Sequence, residues 1–422
     1  MEGKKKGIGL SAQMLIGMIL GLIVGAVVGP GIAWVKPFGT IFVNLLKMIM
    51  VPIIFVSITL SVAQVSDLKQ FGRIGIKIFV FYCITSALAA VNGIFWASVI
   101  RPGIGFSQAT NGAVEKEIPD IVSTLVNIIP TNIIDALAKA NLMSIIFFAI
   151  LFGIAISLTG EETKKPLIDV LVSLNEAILR MIRICLKYAP IGVFALMANL
   201  AGANGLSVIL PLGKFLITEY AAMLTQMFVV YGILLAIMGK INIFKFVNRV
   251  KSVLIMAFTT TSSSATCPLE IELSESHMGV PRRIGGFSFP LGSTVNQDGA
   301  GLNIPICLLF TAQIYGMTFT PTELIMVVLL ALVMSIGAAG IPAGASIFIL
   351  MILGQFGLPT DAFGLILASY VLIDVGLTTV NICGDMVCTT SVCRSEGVLN
   401  TAVWEPGYDP EAALAAEKAA NA

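Results

Sequence analysis

Residues 259–268, TTTSSSATCP, break a moderately apolar region running from Ile243 to Glu275, and residues 335–346, SIGAAGIPAGAS, break a second from Thr322 to Leu358. Each arm that remains is about 14 residues, or roughly 21 Å of helix, too short for a hydrocarbon core about 30 Å thick. A helix–turn–helix that enters the bilayer and returns fits both regions. Each is followed by an uninterrupted apolar segment, near 282–314 and near 360–393. One unit starts from the cytoplasm and the other from outside, so the two are inverted copies. Paired interrupted segments of this kind point to a binding site near the membrane midplane. Irregular backbone is tolerated there only where protein or a wet cavity covers it.

The rest of the chain agrees with a membrane setting. Of 422 residues, 57% are hydrophobic and 12% charged, with mean hydropathy +0.96; soluble chains are about 25% charged. Further apolar segments fall near 10–35, 38–65, 74–100, 119–159, 166–199 and 207–239. Net charge +1 gives nucleic acid nothing to bind. Basic residues gather in alternate connections: Lys4–Lys6; Lys69, Arg73 and Lys77; Lys164 and Lys165; Lys240, Lys245, Arg249 and Lys251; Arg282 and Arg283; Arg394. By the positive-inside rule both termini are cytoplasmic and the chain is a multi-pass protein of the inner or plasma membrane. Met14–Val28 follows a basic start but reads as a first spanning helix rather than a cleaved leader. Arg180, Arg183 and Lys187 are expected to form an interfacial stripe on one long tilted helix. The Ala/Glu-rich tail 405–422 is expected to be mobile. Seven cysteines show no CxxC spacing and read as reduced packing residues.

Asp298, Asp374 and Asp385 lie in otherwise apolar segments that contain no lysine or arginine. Left unpaired at the bilayer centre, each costs about 2.5–3.5 kcal/mol. Bound cations would compensate them. Asp374, Thr378, Asn381 and Asp385 fall within roughly 60° of one another on a helix, forming one polar stripe. In 292-GSTVNQDGAG-301 the glycines permit local unwinding. Unwinding would free carbonyls that, with Asn296 and Asp298, give hard oxygen ligands suited to Na⁺. Tyr82, Thr85 and Ser86 place three hydroxyls on one patch. Both hairpin tips offer helix N-termini that favour an anion such as a carboxylate, and Ser262–Ser264 add hydroxyl donors.

In combination and order, 262-SSSAT-266 with Pro268, 296-NQDG-299, 340-GIPAG-344 and 374-DVGLTTVNICGD-385 make the chain resemble the dicarboxylate/amino acid:cation symporters. Archaeal members of that family are a known case of inverted repeats. The resemblance covers roughly residues 10–398. It implies an all-α fold of eight transmembrane helices and two re-entrant hairpins, assembled as a homotrimer among membrane lipids. It divides the chain into scaffold helices (1–70 and 119–200), a third helix of the transport domain (71–118), the rest of the transport domain (201–398) and a cytoplasmic tail (399–422). The transport domain would move like an elevator. Asp374 matches the position that takes a substrate amino group, with Thr378 beside it. Asn381 and Ser263 match positions holding the α-carboxylate, and Thr261, Ser262, Ile341 and Ala345 match hairpin-tip contacts. Gly292, Asn296, Asn381 and Asp385 match one sodium site. Tyr82, Thr85, Ser86, Asn296 and Asp298 match a second, and Thr294, Ser335, Ile336 and Ala338 a third. Two or three Na⁺ per protomer follow.

Departures from the family pattern bear on the substrate. The arginine of acidic-substrate carriers is Leu377 here, the threonine beside it is Ala300, a first-hairpin arginine of archaeal members is Thr261, and a methionine is Gln297. A second substrate carboxylate would then be uncompensated in a low-dielectric pocket, at several kcal/mol. The expectation is therefore sodium-coupled uptake of a small neutral amino acid. The alternative is a sodium- or proton-coupled symporter of acidic amino acids or dicarboxylates. A more remote one, an intramembrane serine hydrolase using Ser262–Ser264 and His277, would need a histidine that instead reads as a surface residue near the cytoplasmic face.

Overall fold

The computed structural model describes residues 10–64, 72–105, 129–205, 209–337, 344–359 and 363–420, and these residues are helical with no strand. Apolar side chains facing lipid cost nothing, whereas backbone amides there must be bonded within their own segment, so helices are the answer to this composition. Helix α1 (Leu10–Val28) runs through a 3₁₀ segment (Gly29–Val35) into α2 (Lys36–Gln64), and α3 is Gly72–Ile100. A short α4 (Ile133–Ala138) precedes α5 (Leu142–Leu158), α6 (Glu161–Leu186) and α7 (Ala189–Asn204). Helix α8 starts at Ile209–Leu224 and continues to Gly239 through two π-turns, Thr225–Val230 and Leu235–Gly239.

Among the described residues, four helical stretches are long and apolar enough to cross a membrane, or five if α6 and α7 together count as one bent span. Two expected single spans are divided. The stretch 166–199 is α6 and α7, which meet at 50°, so Arg180, Arg183 and Lys187 lie exposed on the end of one helix and its cap rather than along a straight one. Pro190 in the first turn of α7 explains the division, because proline suits a helix start and not an interior. The described part of 119–159 is interrupted at Lys139–Asn141, where Asn141 caps α5.

The first expected hairpin is present: α9 (Ile243–Arg249) leads into α10 (Lys251–Thr260), which turns at Thr261 and Ser262 into α11 (Ser263–Glu272). Thr261 takes the left-handed conformation (φ 48°) that closes α10, and the Ser262 side chain accepts from Ala265 N at the start of α11. A turn at Ser274–Met278 ends the hairpin. Helices α12 (Arg282–Val295) and α13 (Asp298–Ile314) follow, separated by two residues. The arms of the second hairpin are α14 (Pro321–Gly337) and α15 (Gly344–Gln355); its tip lies outside the described residues. The last long helix, α16, is Phe363–Ser395.

Helix α1 packs along α7, and α2 packs against α5, α6 and α7. Gly17, Gly21 and Gly25 let the α1 backbone meet the carbonyls of Pro190, Phe194 and Ala198 directly. Helices α3, α8 and α10–α16 pack among themselves, with α16 central. The two groups touch where α16 meets α1 and α7 and where α14 and α15 meet α2. Ser57 of α2 donates to the carbonyl of Gly337 at 3.1 Å.

The tail is ordered where described. After Asn400, Thr401–Trp404 forms a short 3₁₀ turn, and α17 (Pro410–Ala420) follows, packed on the Ser274–Met278 turn. The expectation of a mobile tail is corrected: an Ala/Glu-rich run behind Pro410 is a good helix former, and Trp404 stacks on Phe246 with ring centroids 5.7 Å apart.

Candidate functional site

The gap between α12 and α13 is the meeting point of polar groups from four helices. Asn296 (φ −91°, ψ 73°) and Gln297 (φ −102°, ψ 58°) leave the helical conformation, as the glycine-flanked sequence predicts. Asp298 becomes the first residue of α13, where a carboxylate suits the positive end of the helix. Ser86 of α3 donates to Asp298 Oδ1 at 2.6 Å, and Tyr231 of α8 donates to Oδ2 at 2.6 Å. Thr85 Oγ1 lies 3.3 Å from both Asn296 Oδ1 and Asp298 Oδ1. Asp298 thus has hydroxyl donors at both carboxylate oxygens.

Asp385 of α16 is different. Its Oδ1 accepts from Asn296 Nδ2 at 2.7 Å, but its buried Oδ2 has no hydrogen-bond partner. Gly292 lies against this carboxylate, so closely that a Cβ there would strike it. Asn381, one turn earlier on α16, accepts from Gly299 N at 2.6 Å and donates to Gln297 Oε1 at 2.7 Å. Gln297 in turn donates to the Ser293 carbonyl at 2.9 Å. The residue that departs from the family pattern is therefore built into the break. Tyr82 hydroxyl lies 2.8 Å from Ser288 Oγ, which is 2.6 Å from Thr389 Oγ1; Thr389 donates to the Asp385 carbonyl at 2.7 Å.

A model of the sodium:dicarboxylate symporter family matches residues 10–395. The chain belongs to this family. It is 33% identical over 395 residues to the proton/glutamate-aspartate symporter of Escherichia coli (91% of this chain, 88% of the relative). To the proton/sodium-glutamate symport protein of Geobacillus stearothermophilus it is 34% identical over 409 residues (93% and 96%). To the C4-dicarboxylate transport protein of Bacillus subtilis it is 29% identical over 387 residues (88% and 91%). The sodium:dicarboxylate symporter family consists of secondary transporters, not enzymes, and together with the apolar helices this makes the chain a multi-pass protein of the plasma membrane.

Within this symporter the structure joins some expected site residues and leaves others apart. Thr85, Ser86, Asn296 and Asp298 are bonded together, and Asn296, Asp385 and Gly292 are in contact. Tyr82 reaches Asp385 through Thr389, which it meets directly at 3.5 Å and by way of Ser288. Ser263, Ala300, Leu377 and Thr378 are buried, while Asp374, Thr261 and Ser262 are half-buried. Gly299 abuts the Leu377 backbone, and Tyr370, one turn before Asp374, is buried. Thr294 is exposed; Ser335 is buried and Ile336 half-buried at the end of α14, which packs on α12. Ala338 and Ile341 lie outside the described residues.

Several partners were not expected from sequence: Tyr231 and Gln226 on the π-turned α8, Ser288, Thr389, and the buried carboxylates Glu219 and Glu270. The π-turns were the available explanation for a polar face on α8, since such turns re-aim side chains at functional sites. Glu219 accepts from Asn303 Nδ2 at 2.7 Å. His277 is buried, not a surface residue: Ser276 Oγ is 3.0 Å from its Nδ1 and Glu411 of α17 is 3.5 Å from its Nε2. No metal-binding cluster of His, Cys, Asp and Glu occurs among the described residues, and the cysteines are free.

Proposed function

We propose that this chain is a sodium-coupled symporter of an α-amino acid. Asp374 takes the substrate amino group, Asn381 and Ser263 take the α-carboxylate, and Asp385 with Asn296 and Gly292 takes a sodium ion. The observation that carries the reading is the unpartnered, fully buried Oδ2 of Asp385 beside these oxygens. A buried charge without a donor needs a counter-ion. The packing of α3, α8 and α10–α16 around α16 supports their moving as one body against α1, α2 and α5–α7, in an elevator motion within a homotrimer.

Two readings of the substrate side chain remain distinct. An acidic amino acid or C4-dicarboxylate is the reading the comparisons favour, because the relatives carrying those names match most of the chain. A small neutral amino acid is favoured by this chain's own residues. Leu377 and Ala300 are buried and uncharged, and no Lys or Arg occurs between Arg283 and Arg394. The two agree on one point: the group that meets Leu377 is uncharged, either a neutral side chain or a distal carboxyl carried with a proton.

Uptake into proteoliposomes tests this. Uptake is expected to require an inward Na⁺ gradient, and equal uptake from choline medium would overturn the coupling. Aspartate uptake by the wild type is expected to rise as external pH falls, whereas alanine or serine uptake is not. Leu377→Arg, which can hold a carboxylate bidentately, is expected to shift preference toward aspartate and remove that pH dependence. Aspartate uptake that is as fast at alkaline as at acidic pH in the wild type would refute the uncharged pocket.

A further inference from the structure

Glu270 lies on α11, the second arm of the first hairpin, and is 0% exposed. Neither of its carboxylate oxygens has a hydrogen-bond partner. Helix α11 packs against α16, and there Glu270 comes close enough to Asp385 for the two charges to interact. Asp385 is also 0% exposed, with Oδ2 unpartnered. Three carboxylate oxygens on two helices in contact therefore have no hydrogen-bond donor. Cys267, one turn before Glu270 on α11, is buried and brings no positive charge.

Two adjacent buried carboxylates repel each other strongly in a low dielectric, and each has also given up its water. The neighbourhood offers no remedy of its own, since 252–281 and 284–393 contain no Lys or Arg. Hydroxyls that compensate Asp298 are absent here, as the orphaned oxygens attest. What remains is a cation from solution, a proton or a metal ion, and carboxylate oxygens brought from two helices suit a hard metal cation.

We propose that Glu270 is a sodium ligand, so that Glu270 and Asp385 share one Na⁺ between the first hairpin and the last long helix. Asp385 was already assigned to sodium above, and the inference rests on that reading; what is new is a second, full negative charge supplied by the hairpin. The ion then acts as a tie between α11 and α16. Its departure leaves like charges facing each other and drives the two helices apart.

The test uses the full chain purified in detergent, with NaCl titrated against choline chloride. Sodium binding is read by calorimetry and by thermal unfolding, since a ligand of the folded state raises its stability. Glu270→Gln is expected to weaken Na⁺ binding at least about tenfold, and Asp385→Asn to weaken it comparably. Glu270→Met, an apolar replacement of similar volume, provides the same loss of charge in a variant suited to a buried site. It is expected to be as stable as the wild type without Na⁺ and to gain less stability when Na⁺ is added. Wild-type Na⁺ affinity in either Glu270 variant, with Asp385→Asn impaired, would overturn the role of Glu270 and leave the proposed function standing. Failure of Na⁺ to bind even the wild type would instead remove the sodium coupling itself.

Discussion

Asp298 and Asp385 are two buried aspartates with opposite solutions. The first is saturated by hydroxyl donors from α3 and α8, and the second keeps an oxygen free. Tyr231→Phe tests the first solution. It removes the donor at 2.6 Å from Asp298 Oδ2 and leaves a buried carboxylate oxygen exposed to no substitute, which costs about 1–3 kcal/mol. The variant is expected to unfold at lower temperature than the wild type in the same NaCl concentration. An unchanged unfolding midpoint would mean that Asp298 finds another donor. The aspartates were legible in the sequence because a charge in an apolar run is an anomaly. Thr85, Ser86 and Asn296 were legible with them, but other partners were not. Tyr231 is 67 residues from Asp298, and Ser288 is 101 from Thr389, and a lone hydroxyl in an apolar helix reads as ordinary packing. Glu270 was missed because it sits in a stretch of mixed polarity, where one more acid raises no alarm; Glu219, in the apolar segment 207–239, was an anomaly of the same kind as the aspartates and was not read.

At the scale of elements, the interruption between α12 and α13 positions the site, and Gly299 makes it possible. This residue, in the first turn of α13, presses on the carbonyl of Leu377, leaving no room for a Cβ. Its amide also donates to Asn381. Gly299→Ala must push α13 away from α16, at about 1–3 kcal/mol for overpacking. Calorimetric Na⁺ affinity and thermal stability are both expected to fall, and affinity equal to the wild type would show that the two helices separate without disturbing the ion residues. The interruption itself was readable, since three glycines flank an Asn-x-Asp triplet. So was the first hairpin, whose turn is a run of small hydroxyl residues between short arms. The division of 166–199 was not read from its charged stripe, which looks the same on a straight or a bent helix. Only Pro190 marked the boundary.

Across the whole molecule, the C-terminal tail returns to the base of the first hairpin. Asn400 N donates to the Gly279 carbonyl at 2.8 Å, Trp404 Nε1 donates to the Met278 carbonyl at 3.1 Å, and Lys245 donates to the Trp404 carbonyl. Arg249 lies over the rings of Trp404 and Tyr408. Burial holds the His277 ring below the usual imidazole range, against the opposing hydrogen bond and charge of Glu411. The folded ring therefore resists a proton that the unfolded ring accepts below about pH 6.5. Stability is present above that pH and declines as pH falls toward the lower folded value. Thermal midpoints taken from about pH 7.5 to about pH 5.5 are expected to fall less in His277→Gln than in the wild type; parallel curves would remove His277 from the account. The burial of the cysteines has a practical consequence of another kind. Six of the seven are buried and Cys83 is half-buried, while alkylation requires an accessible thiolate. A cysteine introduced at exposed Ala265, beside the hairpin turn, would thus be labelled by a maleimide dye against a nearly silent native background. The hairpin can be watched by fluorescence without first stripping the protein of its own thiols.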